Sequence, residues 1–284
     1  MSQNMLVKPF LKWAGGKRQL LPELDKYVPR SVSGYYYEPF VGAGALLFHR
    51  QYKRARINDL NDQLILTYKV VRDNVSELIE QLEGYKEKDC SDFYYMIRGQ
   101  DRETNEFKKM SDVEKAARMI YLNKTCYNGL YRVNSQGLFN TPYGRYKNPA
   151  ICEKEVLRAV SAYLNDIELD IRNEDFEDAV SDAEKGDFVY FDPPYHTSDT
   201  NFTGYLRDRF DEEEQRRLRD CVVNLTDKKV KCLVSNSNTQ FVQELYSSEH
   251  CSKFKIEIVS ATRMINSDAT GRGRVEEVLV RNWK

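Results

Sequence analysis

The sequence has little of what a metal centre or a covalent nucleophile needs. It holds three histidines (His49, His196, His250) and six cysteines, at positions 90, 126, 152, 221, 232 and 251. No two cysteines form a C-x-x-C pair, and none has a histidine at ligand spacing. That excludes the usual zinc frameworks, leaves the cysteines as reduced core or surface thiols, and sets the expectation of no metal. No apolar run approaches 18 residues, and the first thirty residues carry Lys8, Lys12, Lys17, Arg18, Lys26 and Arg30 without an apolar stretch of the signal-peptide kind. The expected place is the cytoplasm, away from membranes. Glycine (14) and proline (8) are too sparse for collagen or a low-complexity chain, and 41% hydrophobic residues exclude disorder. What remains is a 284-residue chain long enough for a sizeable core, as one large domain or a core domain carrying a smaller one.

Charge of one sign is also missing on average, with Lys+Arg 43 against Asp+Glu 44. The average conceals a segregation. From Ala116 to Ala150 five cations (Arg118, Lys124, Arg132, Arg145, Lys147) meet no acid in 35 residues, whereas Glu153 to Asp192 holds thirteen acids against four cations. The basic stretch is interleaved with Tyr121, Tyr127, Tyr131, Phe139, Tyr143 and Tyr146 and with Asn123, Asn128, Asn134 and Asn140. Cations, stacking rings and amides together suit nucleic acid, and the missing carboxylates would have been repelled by its phosphates.

The pattern along the chain is strand and helix in alternation. Tyr35 to Phe40 reads as a strand running into Val41-Gly42-Ala43-Gly44 and a helix over 45–54; Arg56 to Asp59 is a second strand, followed by helical periodicity through Leu64, Ile65, Tyr68 and Val71. From 74 to 123 only helices are expected, one opened by the capping box Ser111-x-x-Glu114. Strands resume at Ile167 to Ile171 and Asp187 to Asp192, then alternate with helices over Glu212 to Leu225 and Thr239 to Ser247 around a strand at Cys232 to Ser235. Phe254 to Ser260 and Val275 to Arg281, joined by a loop holding Gly271 and Gly273, are too close for a crossover and should pair antiparallel. The expected fold is α/β: a doubly wound, mostly parallel sheet with an antiparallel C-terminal edge. Residues 1–69 and 156–284 form its body, and 70–155 form an inserted, mostly helical module.

Two motifs carry chemistry. Glu38-Pro39-Phe40-Val41-Gly42-Ala43-Gly44, with Asp59 fifteen residues beyond the last glycine, fits a nucleoside: bare glycines admit a ligand, and a carboxylate at the next strand's tip can accept from ribose hydroxyls. An ordinary tight strand-to-helix turn would read the same way, and the third glycine of a dinucleotide fingerprint is absent. Asp192-Pro193-Pro194-Tyr195 ends a strand abruptly. Prolines stiffen the backbone, so a carboxylate and a fixed carbonyl stand beside an aromatic ring, a match for the two N–H donors of an exocyclic amine on a stacked base.

At these residues the chain resembles the Dam-type DNA adenine-N6 methyltransferases. The likeness runs through Phe10-Leu-Lys-Trp-Ala-Gly-Gly-Lys-Arg18, Glu38 to Gly44, Cys126 to Asn134, Phe139 to Tyr146 and Asp192 to Tyr195. It implies a Rossmann-like fold that uses S-adenosylmethionine, with Trp13, Lys17, Asp59 and Asp192 at its cofactor contacts alongside Glu38, Phe40, Gly42 and Gly44. It implies Asp192, Pro193, Pro194 and Tyr195 as the catalytic set. It also implies a double-stranded GATC target read by the 70–155 module: Tyr127 as the wedge, Asn128 and Leu130 at base pairs, and Arg132 with Lys12 and Tyr146 at guanine edges. A cognate restriction endonuclease acting on the same site is a candidate partner without a stable complex. Thr141, where Val is more frequent, and Tyr131, where many members carry a cation, depart from the family pattern. Cytosine N4, RNA or protein amides are alternative acceptors, and a catalytically silent DNA-binding protein is the alternative of another class.

Overall fold

In the computed structural model, residues 3–197, 210–248, 251–262 and 274–284 are described. The expected loop with Gly271 and Gly273 lies outside them. By packing, the chain divides into two units, one of residues 1–16, 42–53 and 61–173, the other of 17–41, 54–60 and 174–284.

Among the described residues the second unit contains six strands: β1 (Tyr36–Glu38), β2 (Arg54–Asn58), β4 (Phe188–Phe191), β5 (Lys231–Ser237), β6 (Lys255–Thr262) and β7 (Arg274–Arg281). They lie in the order β2-β1-β4-β5-β7-β6. β2, β1, β4 and β5 are parallel, with Tyr36 opposite Phe188 and Phe191 opposite Val234. β7 runs antiparallel to both β5 and β6, so the last strand slots between its two predecessors. Composition explains that placement. Val278, Leu279 and Val280 are buried on both faces, as a central strand requires, whereas β6 exposes Ile258 (56%) and alternates with Lys255 and Glu257, as an edge does. The expected antiparallel edge is present, in an order the sequence pattern did not disclose.

Boundaries shift for local reasons. β1 is three residues rather than six because Pro39 cannot donate to the ladder. The helix after the glycine turn spans Ala45–Arg50, not 45–54: Gln51 turns left-handed (φ 50°) and β2 begins at Arg54, whose guanidinium, with that of Arg56, lies over the Tyr35 ring at 4.1 and 4.2 Å. In β4 all four residues, Phe-Val-Tyr-Phe, are buried. The helix Glu212–Asp227 is capped by Asp211 and packs Leu218, Val222 and Leu225 into this unit's core.

The first unit is mostly helical: Asp62–Asp73, Val75–Lys88, Ser91–Gly99, Thr104–Lys109, Asp112–Thr125 and Lys154–Asp166, with β3 at Glu168–Arg172. The capping box is formed, Ser111 Oγ accepting from Glu114 N (3.2 Å) and Glu114 accepting from Ser111 N (2.7 Å). Every residue from Ala116 to Thr125 is buried, which makes this helix the unit's centre. Among the described residues no helix is long and apolar enough to cross a membrane.

Candidate active site and nucleic-acid interface

β4 ends in the two prolines, and the turn that follows places Asp192 and Tyr195 beside Lys17. Lys17 Nζ lies 2.8 Å from Asp192 Oδ1 and 4.4 Å from the centre of the Tyr195 ring. Ser235 of β5 donates to the same Oδ1 (2.8 Å), and the Tyr190 hydroxyl bonds to Ser235 Oγ (3.0 Å). Both polar contacts of Asp192 therefore fall on one oxygen; among the described residues Oδ2 has no partner. The side chain keeps 19% of its exposure. Burial lifts its carboxyl above the usual aspartate value, while Lys17 and Ser235 pull it back down. The Tyr195 hydroxyl donates to Glu277 of β7 (2.7 Å); burial, then the charges of Asp192 and Glu277, hold the phenol well above its usual value, so it stays protonated. The backbone is tied as well: Gln215 donates to the Pro194 carbonyl (2.9 Å) and Asn236 to Gln215 (2.8 Å). Pro193 is buried and Pro194 exposed.

The same unit holds Glu38, Phe40 and Asp59. Glu38 is buried and accepts from the Tyr36 hydroxyl (2.8 Å); Phe40 packs on Phe176 and Phe210; Asp59 is half-buried, the first residue beyond β2. Asn58 anchors this turn: its amide donates to the carbonyls of Pro39 (3.0 Å) and Glu174 (2.9 Å).

Trp13, Gly42 and Gly44 belong to the other unit. Gly42 and Gly44 have φ of +47° and +66°, the left-handed region that favours glycine. A Cβ on Gly42 would sit 2.7 Å from Trp13 Cδ1, and one on Gly44 2.7 Å from the Tyr68 hydroxyl. The glycines thus admit the protein's own rings, whatever else they admit. Trp13 is half-buried and stacks on Tyr131 (5.4 Å, 22°), which in turn meets Phe139.

The residues expected to read DNA lie in that unit, Lys12 packed against the segment that follows the central helix. Lys12 is held by Asn123 on both its backbone groups (2.8 and 2.6 Å); its stem crosses Gly129, where a Cβ would meet Lys12 Cδ at 2.4 Å, and its ammonium lies 4.8 Å from the Tyr146 ring. Asn128 is left-handed (φ 54°), Tyr127 is 48% exposed and Leu130 half-buried. Arg132 is exposed with Nε on Asn140 (2.9 Å), and the backbone closes a hairpin from Arg132 to Asn140. Thr141 is buried and donates to the Leu130 carbonyl (2.7 Å), a bond that valine could not make.

The charge count needs correction. Arg118 and Lys124 are buried, Arg118 paired with Asp101 (2.9 Å) and Lys124 with Glu153 (2.7 Å), so they serve the interior. Arg132, Arg145 and Lys147 remain exposed. The missing acids also arrive from elsewhere in the chain: Asp101 accepts from Phe139 N (2.8 Å) and Asp89 from the Tyr121 hydroxyl (2.8 Å). Ser235, Glu277, Asn58 and Asp101 carried no readable signal in the sequence, because each acts through a partner more than eighteen positions away.

The chain matches the D12 class N6 adenine-specific DNA methyltransferase family over residues 13–265. It is 44% identical to the type II methyltransferase M1.LlaDCHI of Lactococcus lactis subsp. cremoris over 98% of this chain and 96% of that one. Identity is 40% to the type II methyltransferase M.MjaIII of Methanocaldococcus jannaschii (98% and 100% covered) and 32% to the DNA adenine methylase of Escherichia coli K12 (96% and 94%).

Proposed function

Since the chain belongs to the D12 class of N6 adenine-specific DNA methyltransferases, we propose that it moves a methyl group from S-adenosylmethionine to N6 of an adenine rotated out of double-stranded GATC. The observation that carries the reading is the Asp192 carboxylate, one oxygen of which is held by Ser235 and by Lys17, whose ammonium also lies 4.4 Å from the centre of the Tyr195 ring.

The donor set fits the cofactor. In the unit that carries Asp192, Lys17 is a cation for the amino-acid carboxylate and Asp59 a half-buried acceptor for ribose hydroxyls, with Glu38, Phe40 and Asp192 as the contacts the family implies there; Trp13, Gly42 and Gly44 are the further contacts it implies. When bound, S-adenosylmethionine supplies a methyl group on positively charged sulfur.

A stacked adenine cannot present N6 to a second ligand, so the base must leave the duplex, at a cost of a few kcal/mol. In this reading Tyr127 wedges into the gap, Asn128 and Leu130 face base pairs, and Arg132 and Tyr146 of the module 70–155, with Lys12, read guanine edges. Tyr195 stacks the extruded ring. Asp192 Oδ2 and the Pro193 carbonyl accept the amine's two protons, drawing the nitrogen lone pair out of conjugation. With the donor bound, these acceptors would hold the amine for transfer, and the proton made acidic at nitrogen would pass toward Asp192. No covalent enzyme intermediate is needed. Burial pushes the Cys126 and Cys221 thiols up to about 12, so neither offers a thiolate. Positioning and preorganised acceptors supply the rate. The type II relatives favour a role opposite a restriction endonuclease of the same site, in the cytoplasm.

The test is transfer of labelled methyl to a GATC duplex and to duplexes altered at each base, with the product nucleoside identified by mass. N6-methyladenine only from GATC is expected; N4-methylcytosine, or equal transfer to every duplex, would overturn it.

A further inference from the structure

Two buried side chains bond to the residues of the proposed catalytic turn without touching a ligand in the scheme above. Ser235 sits on β5 and Glu277 on β7, fully and almost fully buried (0% and 5% exposed). A carboxylate in the Glu277 position is costly: the next three residues are apolar and buried, and a buried acid is retained only where it is well bonded. Its bond is the one from the Tyr195 hydroxyl. Ser235 has one proton, and the 2.8 Å contact to Asp192 Oδ1 uses it, so the Tyr190 hydroxyl must be the donor in their 3.0 Å contact.

We propose that Ser235 and Glu277 are positioning residues: Ser235 turns the Asp192 carboxylate so that Oδ2 is the oxygen offered to the amine, and Glu277 fixes the plane of the Tyr195 ring that receives the base. The inference rests on the reading of Asp192 to Tyr195 as the site of the extruded adenine. Register makes it physically economical. Glu277 pairs with Ser237, two residues beyond Ser235, so both bonds originate on adjacent antiparallel strands whose ladder holds them rigid. A loop could not fix two groups to the same tolerance.

The test is single-turnover methyl transfer at saturating cofactor and DNA, with dissociation constants for both ligands and thermal melting measured on each variant. Ser235→Ala and Glu277→Ala should each slow the chemical step about tenfold to a hundredfold, while affinities move less than about twofold. Ser235→Thr, which keeps the hydroxyl, should recover most of the rate, and Glu277→Gln, which keeps an acceptor, part of it. Tyr195→Phe removes the same bond from the other side, so it should match the loss in Glu277→Ala, and the double variant should be no slower than either. If Glu277→Ala does not fold, Tyr195→Phe alone decides, and a wild-type rate there overturns the Glu277 assignment. Wild-type rates in Ser235→Ala and Glu277→Ala, with Asp192→Ala dead, overturn the positioning roles and leave the site intact; normal turnover in Asp192→Ala removes the reading beneath them.

Discussion

At the end of β4, Asp192 and Tyr195 are fixed through their side chains, one to Lys17 and Ser235, the other to Glu277. In the hairpin after the central helix the order is reversed. There the backbone is fixed, by Asp101 on Phe139, by Tyr94 and Arg98 on the Thr141 carbonyl and by Thr141 on Leu130, while Tyr127, Arg132 and Tyr146 keep their side chains at the surface. In the proposed reading, bond-making chemistry tolerates little error in where an acceptor points, and the proposed acceptor is the clamped one. Reading a base edge needs a side chain that can adjust on a platform that cannot.

The largest effect expected from this contrast is at the clamped end. Asp192→Ala should lower methyl transfer by about 10²–10⁴ while DNA affinity in a gel-shift or anisotropy titration stays near normal; near-normal turnover would erase the distinction. Next is the platform. Asp101→Ala strips the buried Arg118 of its ion pair and Phe139 of its acceptor, and should cost about 3–5 kcal/mol in denaturant unfolding. Arg132→Ala, on the adjustable side, should leave stability unchanged and cost about 1–3 kcal/mol of discrimination at a single base pair, measured as relative rates on a panel of altered sites. Equal discrimination would move guanine reading elsewhere. The smallest is a displacement rather than a loss. Transfer requires ionised Asp192; burial raises its carboxyl and Lys17 lowers it, so the acid limb of the rate against pH should lie above that of an ordinary aspartate. Lys17→Met, assayed at saturating cofactor, should move that limb to still higher pH.

Much of this was legible in the chain because it is local. Proline ends β4 wherever β4 sits, Ser111 and Glu114 cap a helix from three residues apart, and glycines at left-handed positions announce themselves. The buried cations were misjudged for the opposite reason: Arg118 and Lys124 are internal only because Asp101 and Glu153 come back to meet them. Likewise β7 between β5 and β6, and the carboxylate it brings to Tyr195, depend on strand order, which periodicity within a segment cannot encode. Trp13 came from family likeness alone, since a stacked half-buried indole looks like any core ring in one dimension.

The insertion of β7 also sets a timetable. β5 leaves the ribosome with one hydrogen-bonding edge open and β6 with no partner in the sheet, and both are satisfied only when the strand over Arg274–Arg281 joins them. Until then Asp192 has Lys17 and Ser235 but Tyr195 lacks the Glu277 carboxylate, so a half-made chain carries that turn only half fixed.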